Sequence, residues 1–343
     1  MQIHHTIYYH KISLSFQMIG DGPWHQLGQN ALTIVIVLST TLNALVIGAF
    51  AKSYKKMTKG DIIIVSLATS DLLQSLFGYP SEVKSMFSKS DIGLAKGTCR
   101  FIGFVVSFMA YVSIAHLTYL CLERGLALRK PYMLNTMMES VYFIPCLLGG
   151  LWMYGFLWSV MPLLGWSAYE VEQDGYRCSI DWKNKSPTSH WYIGSLFVFC
   201  FIIPVSVIVV SLVIVKLELI QMQKRANDMF GTTSAAATEI EIAQRKAFKM
   251  VLTMVTTYLL AWCPYAIVSL WITISISKLP DELVMSSAIT AKASTCFNPI
   301  IYAIMYGNFR KALKDLFHFK SANVGPQPGA AVICEDDLIR SSP

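Results

Sequence analysis

The chain has 343 residues, of which 54% are hydrophobic and 14% charged, and its formal net charge is +7. Its mean hydropathy is +0.48. Soluble proteins contain about 25% charged residues, so this composition excludes a soluble protein and indicates one that crosses a membrane several times. The positive charge requires no nucleic acid as a partner, because basic residues that flank membrane segments face anionic lipid.

In chain order, seven apolar runs each have the roughly 20 residues that a helix needs to cross a bilayer. They lie at 31–52, 61–85, 98–124, 140–163, 191–216, 246–276 and 281–306. We therefore predict an all-α membrane protein, a bundle of seven transmembrane helices in one domain over 31–306. An N-terminal segment, 1–30, precedes the bundle, and a polar tail at 320–343 is expected to be disordered.

Basic residues set the orientation of these helices, because loops rich in Lys and Arg stay on the cytoplasmic side. They cluster after the first, third and seventh runs and between the fifth and sixth. The sequence thus predicts a multi-pass protein of the cell membrane with an extracellular N-terminus. Residues 307–319 alternate basic and apolar positions at helical spacing, which predicts a short amphipathic helix along the inner leaflet.

Of the eight cysteines, only Cys99 and Cys178 fall on the oxidising outer side. A disulfide between them would tie the top of the third helix to the loop after the fourth. That loop also carries Asn184 in an Asn-Lys-Ser pattern, a plausible glycosylation site because the loop is outside. Cysteines and histidines show none of the short spacings of zinc sites, so no metal site is predicted.

Lys292 is the most informative residue, because it lies inside the last apolar run. A lysine at the centre of a membrane helix costs roughly 2.5–3.5 kcal/mol on insertion scales. A desolvated amine is also less basic and more nucleophilic, which suits it to condense with an aldehyde. The alternative is a lysine that reaches from a helix end to water, and the apolar sequence on both sides of Lys292 argues against it.

The chain resembles the class A G-protein-coupled receptors, and among them the animal opsins. Motifs of that class occur in order along all seven helices: Asn43, Leu67 to Asp71, Cys99 with Glu123-Arg124-Gly125, Trp152, Pro204, Ala261 to Tyr265, and Asn298-Pro299-Ile300-Ile301-Tyr302. The opsin resemblance rests on Lys292, six residues before Asn298, which matches the lysine that binds retinal in that family.

This resemblance implies a light-activated receptor, not an enzyme, and therefore no catalytic residues. Lys292 would carry retinal as a protonated Schiff base, 11-cis in the dark and all-trans after light. A heterotrimeric G protein would be the partner, with arrestin to end the signal. By residue matching, the retinal pocket would include Trp262, Tyr265, Ser107, Ala110, Tyr111 and Trp182.

The same resemblance assigns the activation switch and a polar network. The switch would comprise Glu123, Arg124, Asn298, Pro299 and Tyr302, and the polar network would add Asn43 and Asp71. Polar groups in hydrocarbon need partners, and a network that can rearrange suits a switch. Gly125 replaces the usual tyrosine, and Gln244 stands where many relatives have glutamate, so we expect a weak resting lock at Arg124.

A buried cation on Lys292 requires a carboxylate nearby. Ile102 occupies the position where vertebrate visual pigments carry a glutamate, so that counterion is missing. Two acids remain: Glu172, six residues before Cys178, which we prefer, and Glu82 in the second helix, which resembles the counterion position of cnidarian opsins. A counterion at either place favours a bistable pigment, whose stable photoproduct is reversed by light.

Two other functions stay open at this point. A retinal photoisomerase of the retinochrome type would supply 11-cis retinal without signalling, and the presence of Arg124 argues for signalling instead. An ordinary receptor would use Lys292 to bind an acidic ligand. Gly125 and Glu82 hint at an opsin of a non-visual or non-vertebrate kind with cnidarian features.

Overall fold

A computed structural model describes residues 23–88, 96–172, 175–230, 235–275 and 278–317. Seven long helical segments form one bundle. Four are continuous: the first is Pro23–Lys52, the third Lys96–Arg129, the sixth Ala235–Ile274 and the seventh Asp281–Met305. The second consists of Lys59–Leu73, a π-helical turn at Gln74–Gly78 and Pro80–Ser88, and the fifth of Pro187–Phe197, a π-helical turn at Val198–Ile202 and Ile203–Phe230. The fourth, Phe143–Val160, ends in a 3₁₀ turn at Met161–Leu164. The all-α, seven-helix prediction is confirmed.

Within the described residues, six of these helices are long and apolar enough to cross a membrane. The seventh spanning helix, Asp281–Met305, falls outside that group, since Lys292 and Asn298 lower its hydropathy. It nevertheless packs along the sixth helix and the first. Its polar residues Lys292 and Asn298 are therefore buried against its neighbours.

Several helices extend beyond the predicted apolar runs, whereas the fourth begins at Phe143 instead of residue 140 and the sixth ends at Ile274 instead of residue 276. The first helix begins at Pro23 instead of residue 31, and the sixth begins at Ala235 instead of residue 246. Hydropathy marks where a helix meets the hydrocarbon, whereas the helix itself continues into the aqueous phase. Most of the predicted N-terminal segment, residues 318 and 319 of the amphipathic helix and the predicted tail lie outside the described residues.

The third helix, Lys96–Arg129, is the centre of the bundle. It packs against the second, fourth, fifth and sixth helices and against a two-stranded hairpin on the outer side. The closest approach is to the fourth helix, at Gly155, where an added Cβ would lie 2.6 Å from Val112 Cγ2 and 3.0 Å from the Phe108 carbonyl oxygen. The absence of a side chain at Gly155 lets these two helices touch.

Two further helices are short, Pro131–Glu139 between the third and fourth spanning helices and Gly307–Phe317 after the seventh. The latter is amphipathic and buries Phe309 and Ala312 against the bundle. Lys56 of the first cytoplasmic loop forms an ion pair with Asp315 at 3.2 Å. The helix is thus held close to the first loop.

The hairpin consists of β1, Tyr169–Val171, and β2, Cys178–Ile180, paired antiparallel with Glu170 opposite Ser179. A disulfide joins Cys99 to Cys178, as the sequence predicted. Burial raises the pKa of the Tyr169 phenol, which stays neutral and donates a hydrogen bond to the Ser159 carbonyl oxygen at 2.7 Å. These links hold the hairpin over the outer end of the bundle.

We expect Gly155→Ala to lower the free energy of unfolding by about 1–3 kcal/mol, the usual cost of overpacking, because Val112 and the backbone of Phe108 have to move apart. Thermal unfolding in detergent would measure the loss. Gly149→Ala in the same helix is the matched control, since a Cβ there meets nothing within 4 Å. Equal effects of the two substitutions would contradict the close contact.

Candidate functional site

A central cavity lies beneath the hairpin, between the third, fifth, sixth and seventh helices. About 880 Å³ of its space, part of it open to solvent, is free of protein atoms. The structure brings all the predicted pocket residues to its wall: Ser107, Ala110, Tyr111, Trp182, Trp262, Tyr265 and Lys292. The wall is mainly apolar and aromatic.

The hairpin and the sixth helix meet above this cavity through aromatic side chains. The Trp182 Nε1 donates a hydrogen bond to the Tyr265 hydroxyl at 3.3 Å, and the Tyr265 ring meets Trp262 edge to face, with 6.1 Å between ring centroids. Sequence reasoning missed several apolar wall residues, because nothing in their type marks a site: Val106, Leu196, Phe197, Cys200, Phe201, Ala266, Ala288 and Ala291.

Lys292 is buried at one end of the cavity and contacts a carboxylate, that of Glu82. Its side chain is 9% exposed and that of Glu82 is fully buried, and the Lys292 Nζ donates a hydrogen bond to Glu82 Oε2. The other carboxylate oxygen, Glu82 Oε1, is buried without a hydrogen bond. The ring centroid of Tyr79 lies 5.5 Å from the same Nζ.

Our preference for Glu172 as the acid facing Lys292 does not match the contacts. Glu172 lines the cavity, but its carboxylate pairs with the guanidinium of Arg177 at 2.8 Å. In sequence, Arg177 looks like an ordinary basic residue of an outer loop, whereas its side chain is only 1% exposed. Its position next to Cys178 in the disulfide was the signal that could have revealed its burial.

The polar network predicted around Asp71 forms below the cavity. The Asn298 Nδ2 donates a hydrogen bond to Asp71 Oδ2 at 3.0 Å, and the Ser113 hydroxyl donates to Asp71 Oδ1 at 2.9 Å. Asn43 does not join Asp71 directly but donates to the Thr295 carbonyl oxygen at 2.9 Å. Ser113 and Thr295 are members that sequence reasoning missed, because serine and threonine are common in helices.

Trp262 connects the cavity to the seventh helix. Its Nε1 donates a hydrogen bond to the Ser294 hydroxyl at 3.0 Å, and its ring stacks on Tyr258 with 5.7 Å between centroids. Ser294 lies two residues after Lys292 and four before Asn298. A displacement of Trp262 would therefore act on the helix that carries both the buried lysine and the polar network.

At the cytoplasmic end, Arg124 pairs with its neighbour Glu123, with hydrogen bonds of 2.7 and 3.0 Å. Tyr302 is fully buried, and its hydroxyl lacks a hydrogen bond. Pro299 lies inside the seventh helix. Among the described residues, the carboxylate that pairs with Arg124 is that of its own neighbour; the weak resting lock stays a prediction.

Asn184 lies in the loop after β2, half-buried, where its Oδ1 accepts a hydrogen bond from the Ser186 backbone N–H at 2.9 Å. Ser186 caps the fifth helix, since its hydroxyl accepts from the Ser189 N–H. Across the residues that the structure describes, no group of three His, Cys, Asp or Glu side chains could hold a metal ion.

Three comparisons with known proteins agree. Residues 42–302 match the family model for the seven-transmembrane receptors of the rhodopsin family. The chain is 29% identical to the visual pigment-like receptor peropsin of Mus musculus over 87% of this chain and 86% of that protein. It is 30% identical to the blue-sensitive opsin of Gallus gallus over 82% and 76%.

A solved structure shows the same likeness. The crystal structure of squid rhodopsin superposes with a TM-score of 0.77 at 25% sequence identity, over 85% of this chain and 84% of that one. The rhodopsin of Sepia officinalis is 28% identical over 88% of this chain and 66% of that protein. Both the fold and the sequence thus place the chain among the same proteins.

We expect Arg177→Met to lower the free energy of unfolding by roughly 3 kcal/mol, because breaking a buried ion pair leaves a charge without compensation. Thermal unfolding of the purified protein would measure the loss. A second change, Glu172→Gln, in the same chain should restore most of the stability, since the orphaned charge is then absent. Losses that simply add would show that the two side chains are not energetically coupled.

Proposed function

Since the chain belongs to the rhodopsin family of seven-transmembrane receptors, and within it to the animal opsins, we propose that retinal binds covalently to Lys292 and makes this receptor responsive to light. The family implies a multi-pass membrane receptor that senses light through retinal and couples to a heterotrimeric G protein, and it is not an enzyme family. The attachment residue, the counterion and the direction of the light response are our proposal.

One observation carries the proposal: the cavity ends on a buried lysine that has a single carboxylate partner. A lysine ammonium has three N–H donors, but Lys292 Nζ makes one hydrogen bond to a described residue, that with Glu82. A protonated Schiff base has only one N–H on that nitrogen. The surroundings of Nζ thus suit the covalent adduct better than they suit the free amine.

Attachment requires an aldehyde and releases water. The Lys292 amine adds to the carbonyl carbon, and loss of water leaves a carbon–nitrogen double bond that takes up a proton. When bound, 11-cis retinal supplies absorption of visible light and isomerises to all-trans. The apolar wall around Trp262 and Tyr265 excludes water from the polyene and fixes its shape.

We assign the counterion to Glu82. Its carboxylate is fully buried and touches Nζ, so it lies where a negative charge keeps the nitrogen protonated. The carboxylate of Glu172 is paired with the guanidinium of Arg177, so its negative charge is already compensated. The acid we preferred from the sequence thus becomes the second choice.

The effect of light would reach the cytoplasmic side through Trp262. A change in the shape of bound retinal would displace this ring, which donates a hydrogen bond to Ser294. The displacement would shift the seventh helix and the hydrogen bond between Asn298 and Asp71. Release of Arg124 from Glu123 together with a swing of the sixth helix would open the site for the G protein. Arrestin would compete for the same opened surface.

The remaining features derive from topology and charge. The basic loops favour a protein of the cell membrane whose N-terminus is extracellular, and Asn184 would then be a glycosylation site in an outer loop.

Because the counterion lies in the second helix and not at Ile102, we propose that the photoproduct stays protonated, keeps its retinal and returns to the dark state on a second illumination.

The counterion assignment predicts different spectra for two neutralised acids. With 11-cis retinal, we expect Glu82→Gln to lose the visible band at neutral pH, because the nitrogen loses its compensating charge, and Glu172→Gln to keep it. Absorption spectra of the purified proteins would decide, with Lys292→Ala as the variant that forms no pigment. A visible band in Lys292→Ala would refute the attachment site itself.

Signalling is tested in cells that express the receptor with 11-cis retinal and a second-messenger reporter. We expect a light-dependent change that Lys292→Ala abolishes, and a second flash, absorbed by the photoproduct, that ends it. If light only converts all-trans to 11-cis retinal while the messenger level stays constant, the chain is instead a photoisomerase. Release of retinal after the first flash would contradict bistability.

A further inference from the structure

Tyr79 is a fully buried aromatic residue of the second helix that touches the same nitrogen as Glu82. Its ring centroid lies 5.5 Å from Lys292 Nζ, within the distance at which a ring face attracts a cation. Its hydroxyl is buried beside the Thr295 side chain without a well-aligned hydrogen bond. The residue was not among the predicted pocket residues.

Local helix geometry explains why Tyr79 and Glu82 face one point. Residues Gln74–Gly78 form a π-helical turn, and Pro80 begins the next helical segment. A π turn inserts an extra residue and rotates the residues after it about the helix axis. Tyr79 and Glu82 follow this turn and are three residues apart in sequence, the spacing that places two side chains on the same helix face. The rotation turns that face toward Lys292. The Glu82 N–H also donates to the Tyr79 carbonyl oxygen at 3.1 Å.

The second and third helices are in close contact just before this face. An added Cβ on Gly78 would lie 2.7 Å from Val106 Cγ2, so the backbone before Tyr79 lies directly against the third helix. Tyr79 itself packs in a buried cluster with Leu32 and Cys296. The ring is therefore held in place and has little freedom to turn away from Nζ.

The charge on Nζ is only partly satisfied by Glu82. One hydrogen bond reaches the carboxylate, and the Tyr79 ring packs against buried apolar side chains. At a buried site, the negative face of an aromatic ring stabilises a cation more strongly than it does in water. The Tyr79 ring offers such a face, with its centroid 5.5 Å from Nζ.

We propose that Tyr79 is a positioning residue that holds the positive charge of the Lys292 nitrogen against Glu82 through the face of its ring. The inference rests on the proposed function, in which that nitrogen carries retinal. Excitation of a protonated retinal adduct moves positive charge away from the nitrogen. A ring that stabilises the charge at the nitrogen thus raises the excitation energy, and its loss moves the absorption maximum to longer wavelength.

The test compares Tyr79→Leu with Tyr79→Phe in pigments formed with 11-cis retinal. Removal of the ring in Tyr79→Leu should shift the absorption maximum to longer wavelength, because the cation–π contact that stabilises the charge at the nitrogen is lost. Tyr79→Phe keeps the ring and should stay near the original maximum. Tyr192→Leu is the control for loss of a buried tyrosine, since Tyr192 is fully buried and packs in a different cluster from that of Tyr79.

A second series avoids a variant that fails to fold. Fluorination weakens the negative face of a ring with little change in its shape, so trifluorophenylalanine at position 79, introduced by nonsense suppression, should shift the maximum in the same direction as leucine. An unchanged maximum in the fluorinated and leucine variants overturns the proposal, as does an equal shift in Tyr79→Phe. Failure of the attachment itself is distinguishable, because the unmodified receptor would then give no visible band.

Discussion

The structure depends on one buried ion pair, between Lys292 of the seventh helix and Glu82 of the second. Either charge alone inside the bundle would cost roughly several kcal/mol, so each residue is tolerable only because the other is in place. The pair fixes the relative height of two helices that are distant in sequence. It also sets the polarity of the cavity, since the charged nitrogen lies at one end of an otherwise apolar and aromatic enclosure.

A second ion pair makes this arrangement specific. Glu172 reaches the cavity wall, but Arg177, just before β2, compensates its charge. Arg177 is held there because the next residue, Cys178, is joined by a disulfide to the third helix. Without Arg177, two carboxylates would compete for one lysine. The hairpin thus acts as a lid and also determines which acid faces the nitrogen.

Short side-chain contacts of the seventh helix connect the cavity to the polar network below it. Lys292, Ser294 and Asn298 lie on that helix within seven residues and contact, respectively, Glu82, Trp262 and Asp71. A displacement at the cavity would therefore act on the helix that carries all three contacts.

The amino-acid sequence by itself determined the fold class and the disulfide, and it predicts the orientation of the helices. Long apolar runs have one solution in a bilayer, basic loops stay inside, and two cysteines remained on the oxidising side. It also identified Lys292, because a charge in hydrocarbon is conspicuous. Only the tertiary structure decided which acid this lysine meets. The sequence favoured Glu172 over Glu82, whereas the contacts depend on the π turn before Glu82 and on a buried arginine that pairs with Glu172. Both require contacts between distant segments, which local composition does not encode.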